Sequence, residues 1–211
     1  MPFFIMNSLF ITFEGIDRAG KTTQIQLLSK FLDENKIDHI ITREPGGNPV
    51  SEKIREILLN SKEEIDIYTE LFLYIAGRKQ HVEKTILPAL KKNQWVICDR
   101  YIDSTTVYQG VFRNIQINTI ERLHEAANIY LYPHITFYID IPVNISEGRI
   151  IKSGNRNRME MFNNIEAEKM RQMFIHLTEK NPQRITLIDG IQSIQTIHQK
   201  IITEIKKKMK L

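Results

Sequence analysis

Five short apolar runs, at 9–13, 39–42, 95–98, 135–139 and 185–188, recur along the chain at strand length, separated by segments whose apolar residues fall at helical spacing. The alternation predicts an α/β fold: a parallel sheet with helices on both faces, its strands buried on both sides. Ile25, Leu28 and Leu32 mark one apolar helix face after the first strand, and Ile194, Ile197, Ile201 and Ile205 mark another near the end. Further helices are predicted near 51–59, 70–87, 118–127 and 160–181. No repeat, low-complexity tract or linker divides the chain, so a single domain over 1–211 is expected, with 152–158 as its most irregular stretch.

In open parallel sheets ligands lie beyond the carboxyl ends of the strands, and three such ends here carry chemistry. The first leads into Gly15, Ile16, Asp17, Arg18, Ala19, Gly20, Lys21 and Thr22, which fit GxxxxGK[ST], the phosphate-cradling P-loop. Its glycines let consecutive backbone N–H groups point at phosphate oxygens, and the helix opening at Lys21 adds its positive end. Lys21 would reach the β- and γ-phosphates of a nucleotide, and the Thr22 hydroxyl would ligate Mg²⁺. The second end carries Arg43-Glu44-Pro45-Gly46-Gly47; the third carries Asp99-Arg100-Tyr101. Asp99 is suited to hold Mg²⁺ directly or through water, while Arg100 and Arg43 offer forks for an acceptor phosphate.

Composition narrows the picture modestly. The 29 basic and 25 acidic side chains permit a nucleic-acid partner, yet equally suit a cleft that gathers two anionic nucleotides. Lys206, Lys207, Lys208 and Lys210 read as a solvated helix end whose dipole favours cations, so no nucleic acid is expected. Cys98 is the one cysteine and sits in an apolar strand, which fits a core residue in a reducing compartment. The apolar opening 3–6 lacks a basic region and a cleavage site, and no run approaches the roughly 18 residues of a membrane span. A soluble, cytoplasmic protein is expected.

In the segment 70–81, Tyr74 and Arg78 stand four apart and so share one helical face. A ring to stack on a base and a fork to bond its edge would then point the same way, although most such pairs on helices serve packing or surface.

The P-loop, the REPGG run at 43–47, the aromatic-xxx-Arg-x-Gln-His helix, and DRYIDS at 99–104 leading to Tyr108-Gln109-Gly110 occur here in the order found in thymidylate kinases. The chain resembles that family over essentially its whole length. The resemblance implies the P-loop nucleoside monophosphate kinase fold, a five-stranded sheet with a small lid, and Mg²⁺- and ATP-dependent phosphorylation of dTMP in a homodimer. It gives Tyr74 the place of the ring that stacks on thymine and Arg78 that of a base contact, with Thr105 and Gln109 at the base edge. Tyr108 would lie beneath the sugar, and Asp17, Arg43 and Arg100 would hold the sugar hydroxyl and acceptor phosphate. The region 148–160 resembles the lid that closes over ATP.

Family members take their catalytic arginine either from the P-loop or from the lid, and this chain has both Arg18 and Arg149, Arg156 and Arg158. Arg18 is the first choice, with Arg158 and its neighbours second. Asn157 stands where the lid pattern has aspartate, Tyr74 where many members have phenylalanine, and Val107 where alanine is usual. Two other readings remain: a deoxynucleoside kinase, which would need a carboxylate base for a hydroxyl, and a non-catalytic P-loop ATP sensor or nucleic-acid-binding regulator. The several arginines favour an acceptor that is already ionised.

Overall fold

The computed structural model describes residues 8–153 and 162–209. The five predicted strands form as β1 (Phe10–Glu14), β2 (His39–Arg43), β3 (Trp95–Asp99), β4 (Ile135–Asp140) and β5 (Ile185–Asp189). They make one parallel sheet in the order β2-β3-β1-β4-β5. β1 is therefore central and wholly buried, and its carboxyl end, leading into the P-loop, lies between those of β3 and β4.

Helices α1 (Lys21–Glu34) and α9 (Ile194–Met209) pack on each other and cover one face. Leu28, Leu32, Ile201 and Ile205 there meet Ile11, Phe13, Ile97 and Phe137 from the sheet. Helices α2 (Pro49–Asn60) and α3 (Ile67–His81) pack together beyond the REPGG turn. The helix predicted over 70–87 does not run straight through. It widens into a π-helical stretch, Val82–Ile86, and resumes as α4 (Leu87–Lys91). Pro88 has no N–H to give the ladder, and the wider winding, with the Leu87 N–H reaching Val82 O, carries the chain past it.

After β3 the chain forms α5 (Ile102–Thr105) and a second π-helical stretch, Thr106–Phe112, then α6 (Ile117–Ala126). The small, β-branched run Ser104-Thr105-Thr106-Val107 has little intrinsic helical preference, so packing decides its form. After β4 comes α7 (Val143–Ser153), also not foreseen, since Ile150 is among its few fully buried apolar positions and no stripe shows in the sequence. Gly148 and Arg149 of the expected lid thus belong to a helix. From residue 154 to 160 that region, with Arg156, Asn157 and Arg158, lies outside the described residues. Helix α8 (Asn164–Lys180) starts later than expected because Asn163 caps it, in a reciprocal capping box with Glu166.

On the sheet face opposite α1 and α9, α8 lays Met170 and Phe174 against Tyr138 and the Val107–Tyr108 segment. The Phe174 and Tyr138 rings stack with centroids 5.0 Å apart. Through this contact α8 backs the segment that carries Tyr108 and Gln109. Phe174→Ala should cost about 3–5 kcal/mol of folding free energy, read as a lower urea midpoint with unchanged slope; a loss under about 1 kcal/mol would show that α8 adds little to the core.

Candidate active site

The P-loop leaves β1 through Gly15, whose φ of +142° and close approach to the carbonyl of Ile139 leave no room for a Cβ. Helix α1 then begins at Gly20 with no side-chain cap and no acidic residue in its first turn. By contrast Asn48, Asp66 and Asn163 cap α2, α3 and α8. The first N–H groups of α1 are thus left to an anion, and the helix dipole favours one there. Lys21 folds back on the loop, donating to the carbonyls of Gly15 and Ile16 at 3.1 Å each. Burial and the Arg100 charge together lower its pKa, so an arriving phosphate would relieve an underneutralised ammonium.

Arg100 is the bridge between strands. It adopts a left-handed backbone, φ +67°, with its N–H on the carbonyl of Phe13. Its guanidinium donates to Gly15 O at 2.9 Å, Ser104 Oγ at 3.2 Å and Asp17 Oδ1 at 2.6 Å. The Tyr108 ring lies 5.1 Å from the guanidinium carbon, and the Tyr108 hydroxyl donates to Asp17 Oδ2 at 3.1 Å. Burial pushes the Asp17 carboxyl up, but Arg100 and Lys21 outweigh it and bring it below the usual carboxylate range.

Glu14 fixes this turn from beneath. Wholly buried, it accepts the Tyr101 N–H at 2.7 Å and the Ser104 hydroxyl at 2.5 Å. Burial, and secondarily the charge of Asp103, raise its pKa to about 7 against the partial offset of Arg100, Ser104 and Tyr101. Asp103 is itself gripped by Arg184 through two bonds of 2.6 and 2.8 Å.

A cavity of about 800 Å³ opens over these groups, lined by Lys21 and six arginines, Arg18, Arg43, Arg55, Arg78, Arg100 and Arg149, against Asp17, Glu44 and Asp99. The predicted residues Gly20, Ala19, Thr22, Tyr74, Thr105, Tyr108 and Gln109 also face it. Arg43 lies at the rim, half exposed and paired with Glu52 at 2.9 Å. Arg78 is deeply buried, its Nε on Glu44 at 2.7 Å. Gln109 donates through Nε2 to Glu70 at 3.1 Å. Helix α7 braces the loop, as Ser146 Oγ donates to Asp17 O at 2.7 Å and Arg149 to Arg18 O at 2.8 Å. Arg18 is exposed, in a left-handed conformation at the cavity mouth.

Sequence reasoning missed Arg55, Glu14 and the role of Glu44. Arg55 donates to the carbonyl of Pro45 at 2.8 Å, three residues from the Glu52 that binds Arg43. Their shared face of α2 was visible in the spacing, but its turn toward the cavity was not.

Asp99 lines the same cavity as Thr22, and its Oδ1 is buried without a hydrogen-bond partner. One carboxylate and one hydroxyl suit a hard cation such as Mg²⁺, which takes oxygen ligands. Among the described residues no cluster of three or more His, Cys, Asp and Glu side chains forms a separate cage.

An uncapped P-loop helix at the centre of a parallel sheet, facing arginines from two neighbouring strand ends, defines a P-loop phosphotransferase of the nucleoside monophosphate kinase class. The family model described as thymidylate kinase matches residues 13–201. Thymidylate kinase of Caldanaerobacter subterraneus subsp. tengcongensis is 41% identical over 206 residues, covering 97% of this chain and 98% of its own. That of Kosmotoga olearia is 38% identical over 196 residues, covering 93% and 94%. The crystal structure of thymidylate kinase from Ehrlichia chaffeensis superposes with a TM-score of 0.74 at 35% identity, over 94% of this chain and 98% of that one. The chain belongs to the thymidylate kinase family.

The raised pKa of Glu14 has a pH signature. Below pH 4.5 the carboxyl is protonated in folded and unfolded chains alike; from there to about pH 7 the unfolded chain releases a proton that the fold keeps. Its contribution to stability is therefore lost as pH rises through about 7. Denaturant titrations should show wild type losing stability relative to Glu14→Gln between these limits. A constant difference would mean that Glu14 is ionised in the fold.

Proposed function

We propose that this chain transfers the γ-phosphoryl group of ATP to dTMP, giving dTDP and ADP. The observation that carries the reading is Arg100, fastened to the P-loop by Asp17 and the Gly15 carbonyl, in one cavity with Lys21, Tyr74, Thr105 and Gln109. Phosphoryl transfer asks a protein mainly to align two oxygens and neutralise the moving charge.

On the donor side, Gly15 to Thr22 and the first turn of α1 bind the ATP phosphates, and Lys21 turns from its own loop carbonyls to the β- and γ-phosphates. Thr22 and Asp99 would hold Mg²⁺, which when bound neutralises phosphate charge. Arg100, with Arg43 and Arg55, clamps the acceptor phosphate from the other side. Tyr74 stacks on the base, Arg78, Thr105 and Gln109 meet its edge, and Tyr108 with Asp17 contacts the sugar. Arg18 at the mouth supplies charge to the transferring group; Arg158, Arg156 and Arg149 of a lid over 148–160 are the second source.

A monophosphate acceptor needs cations and no base. Of the three carboxylates lining the cavity, Asp17 is engaged with Arg100 and Glu44 with Arg78 and His81, and Asp99 is the one assigned to Mg²⁺, which disfavours a hydroxyl acceptor. We also infer one domain over 1–211 acting as a cytoplasmic homodimer. Exposed Ile57, Tyr68 and Phe72 on α2 and α3 support the pairing, and buried, unpaired Cys98 suits a reducing compartment. Among the described residues no helix is long and apolar enough to cross a membrane.

With Mg²⁺ and ATP, purified protein should release ADP rapidly on dTMP and far more slowly on dUMP, dCMP, AMP or thymidine, and chelation of Mg²⁺ should stop it. Faster turnover on thymidine would establish the hydroxyl acceptor instead. Arg18→Met should lower kcat by about 10³-fold or more, as loss of a charge supplied to the transferring group does elsewhere. A loss under tenfold would assign that charge to the lid.

A further inference from the structure

The acceptor end is shaped by a polar cluster behind it. Arg78 has five N–H donors, of which three are committed: Nε to Glu44 Oε2 at 2.7 Å, Nη1 to His124 Nε2 at 2.7 Å and Nη2 to the carbonyl of Tyr101 at 3.0 Å. The Tyr101 ring lies 5.1 Å from the guanidinium carbon. The other oxygen of Glu44 meets His81 Nδ1 at 2.9 Å, and His81 Nε2 meets Thr42 Oγ1 at 2.7 Å. Gly47 passes so close to this Thr42–His81 pair that no Cβ fits there. Glu44 and Tyr101 follow strands whose ends line the cavity. His124 comes from α6, is buried, and is not among the lining residues.

The geometry fixes the tautomer of His124. Its Nδ1 lies 3.0 Å from the carbonyl of Ile120, which can only accept, so Nδ1 carries the proton. Nε2 is then a bare lone pair facing a guanidinium that can only donate. A second proton would set N–H against N–H, and burial together with the Arg78 charge pushes the ring pKa down to about 3.

The Glu44 bond to Nε and the Tyr101 carbonyl on Nη2 hold one edge of the guanidinium; the His124 bond to Nη1 is the third anchor that fixes its plane, and it leaves one N–H on each Nη. We propose that His124 is a positioning residue for base recognition, its Nε2 lone pair setting the plane of Arg78 so that the remaining N–H donors meet a carbonyl oxygen of the acceptor pyrimidine. This rests on the dTMP reading above and assigns to that site a residue that touches no substrate.

His124→Leu removes the acceptor at similar bulk, whereas His124→Gln can offer Oε1 at comparable reach. Steady-state kinetics should show KM for dTMP raised about tenfold or more in the leucine variant, KM for ATP unchanged, and the dTMP value recovered within about threefold in the glutamine variant. A leucine variant within twofold of wild type, or a glutamine variant as impaired as leucine, overturns the proposal. Wild type without dTMP turnover overturns the underlying reading instead, so the two failures are distinct. Should the leucine variant not fold, long-range ¹H–¹⁵N spectra of wild-type histidines decide: His124 should be protonated at Nδ1 only, with Nε2 shifting on addition of dTMP but not of ATP. An Nε2-protonated ring, or one indifferent to dTMP, overturns the proposal.

Discussion

The site depends on how the chain is turned at the end of β3, and that turn depends on the buried carboxyl group of Glu14. Register alone brings Phe13 of β1 beside Asp99 of β3. The residue after Asp99 is strained, because Arg100 takes a left-handed conformation that side-chain-bearing residues seldom adopt. Glu14 accepts the next backbone N–H, at Tyr101, and the hydroxyl of Ser104 one turn on, holding the chain just beyond the strained residue. Arg100 is thereby aimed back across the sheet at the P-loop. The same turn leaves Asp99 in the cavity wall, its Oδ1 without a hydrogen-bond partner.

Much of this was legible in the sequence. All five strands announced themselves as apolar runs, most plainly β1, β3 and β4, which are buried and have no polar side to blur the signal, while edge strand β2 keeps Ile40 and Ile41 despite its exposure. The P-loop was plain from its glycines and lysine. Elements whose form is set by packing were not legible. Helix α7 buries too few apolar residues to show a stripe, and 102–112 is helical because Val107 and Tyr108 are pressed against α8 and Tyr138. Strand-end arginines were legible as cations, but their partners were not. Glu14 read as the last residue of a strand, and His124 as one polar residue on an amphipathic helix, since each meets its partner only through a contact more than 40 residues away in sequence.

The two ends of the cavity are prepared differently. At the P-loop end the protein leaves groups unsatisfied: the uncapped first turn of α1 and a lysine bonded only to its own loop. Both await an anion, which would satisfy the helix N–H groups and neutralise the buried ammonium, and they impose little shape. At the Arg78 end the polar groups are buried and already paired, as the Arg78–Glu44 contact shows at 2.7 Å with both side chains under 5% exposed. A tight, shaped pocket of that kind suits discrimination between bases. A phosphate chain common to all nucleoside triphosphates asks for none.

That contrast bears on why an ion pair is buried at all. Taking Arg78 and Glu44 out of water costs several kcal/mol per ion before their attraction is counted, and apolar replacements of equal volume often fold as well or better. The pair is therefore poorly explained as a stabiliser. It is better explained as a scaffold: Glu44 needs both its oxygens, one for Arg78 and one for His81, to tie the REPGG turn to α3, and Arg78 needs anchors on several nitrogens to keep a fixed plane. A buried cation with every contact made by neutral or anionic acceptors, and with donors still to spare, is poised for an acceptor atom that only a ligand brings.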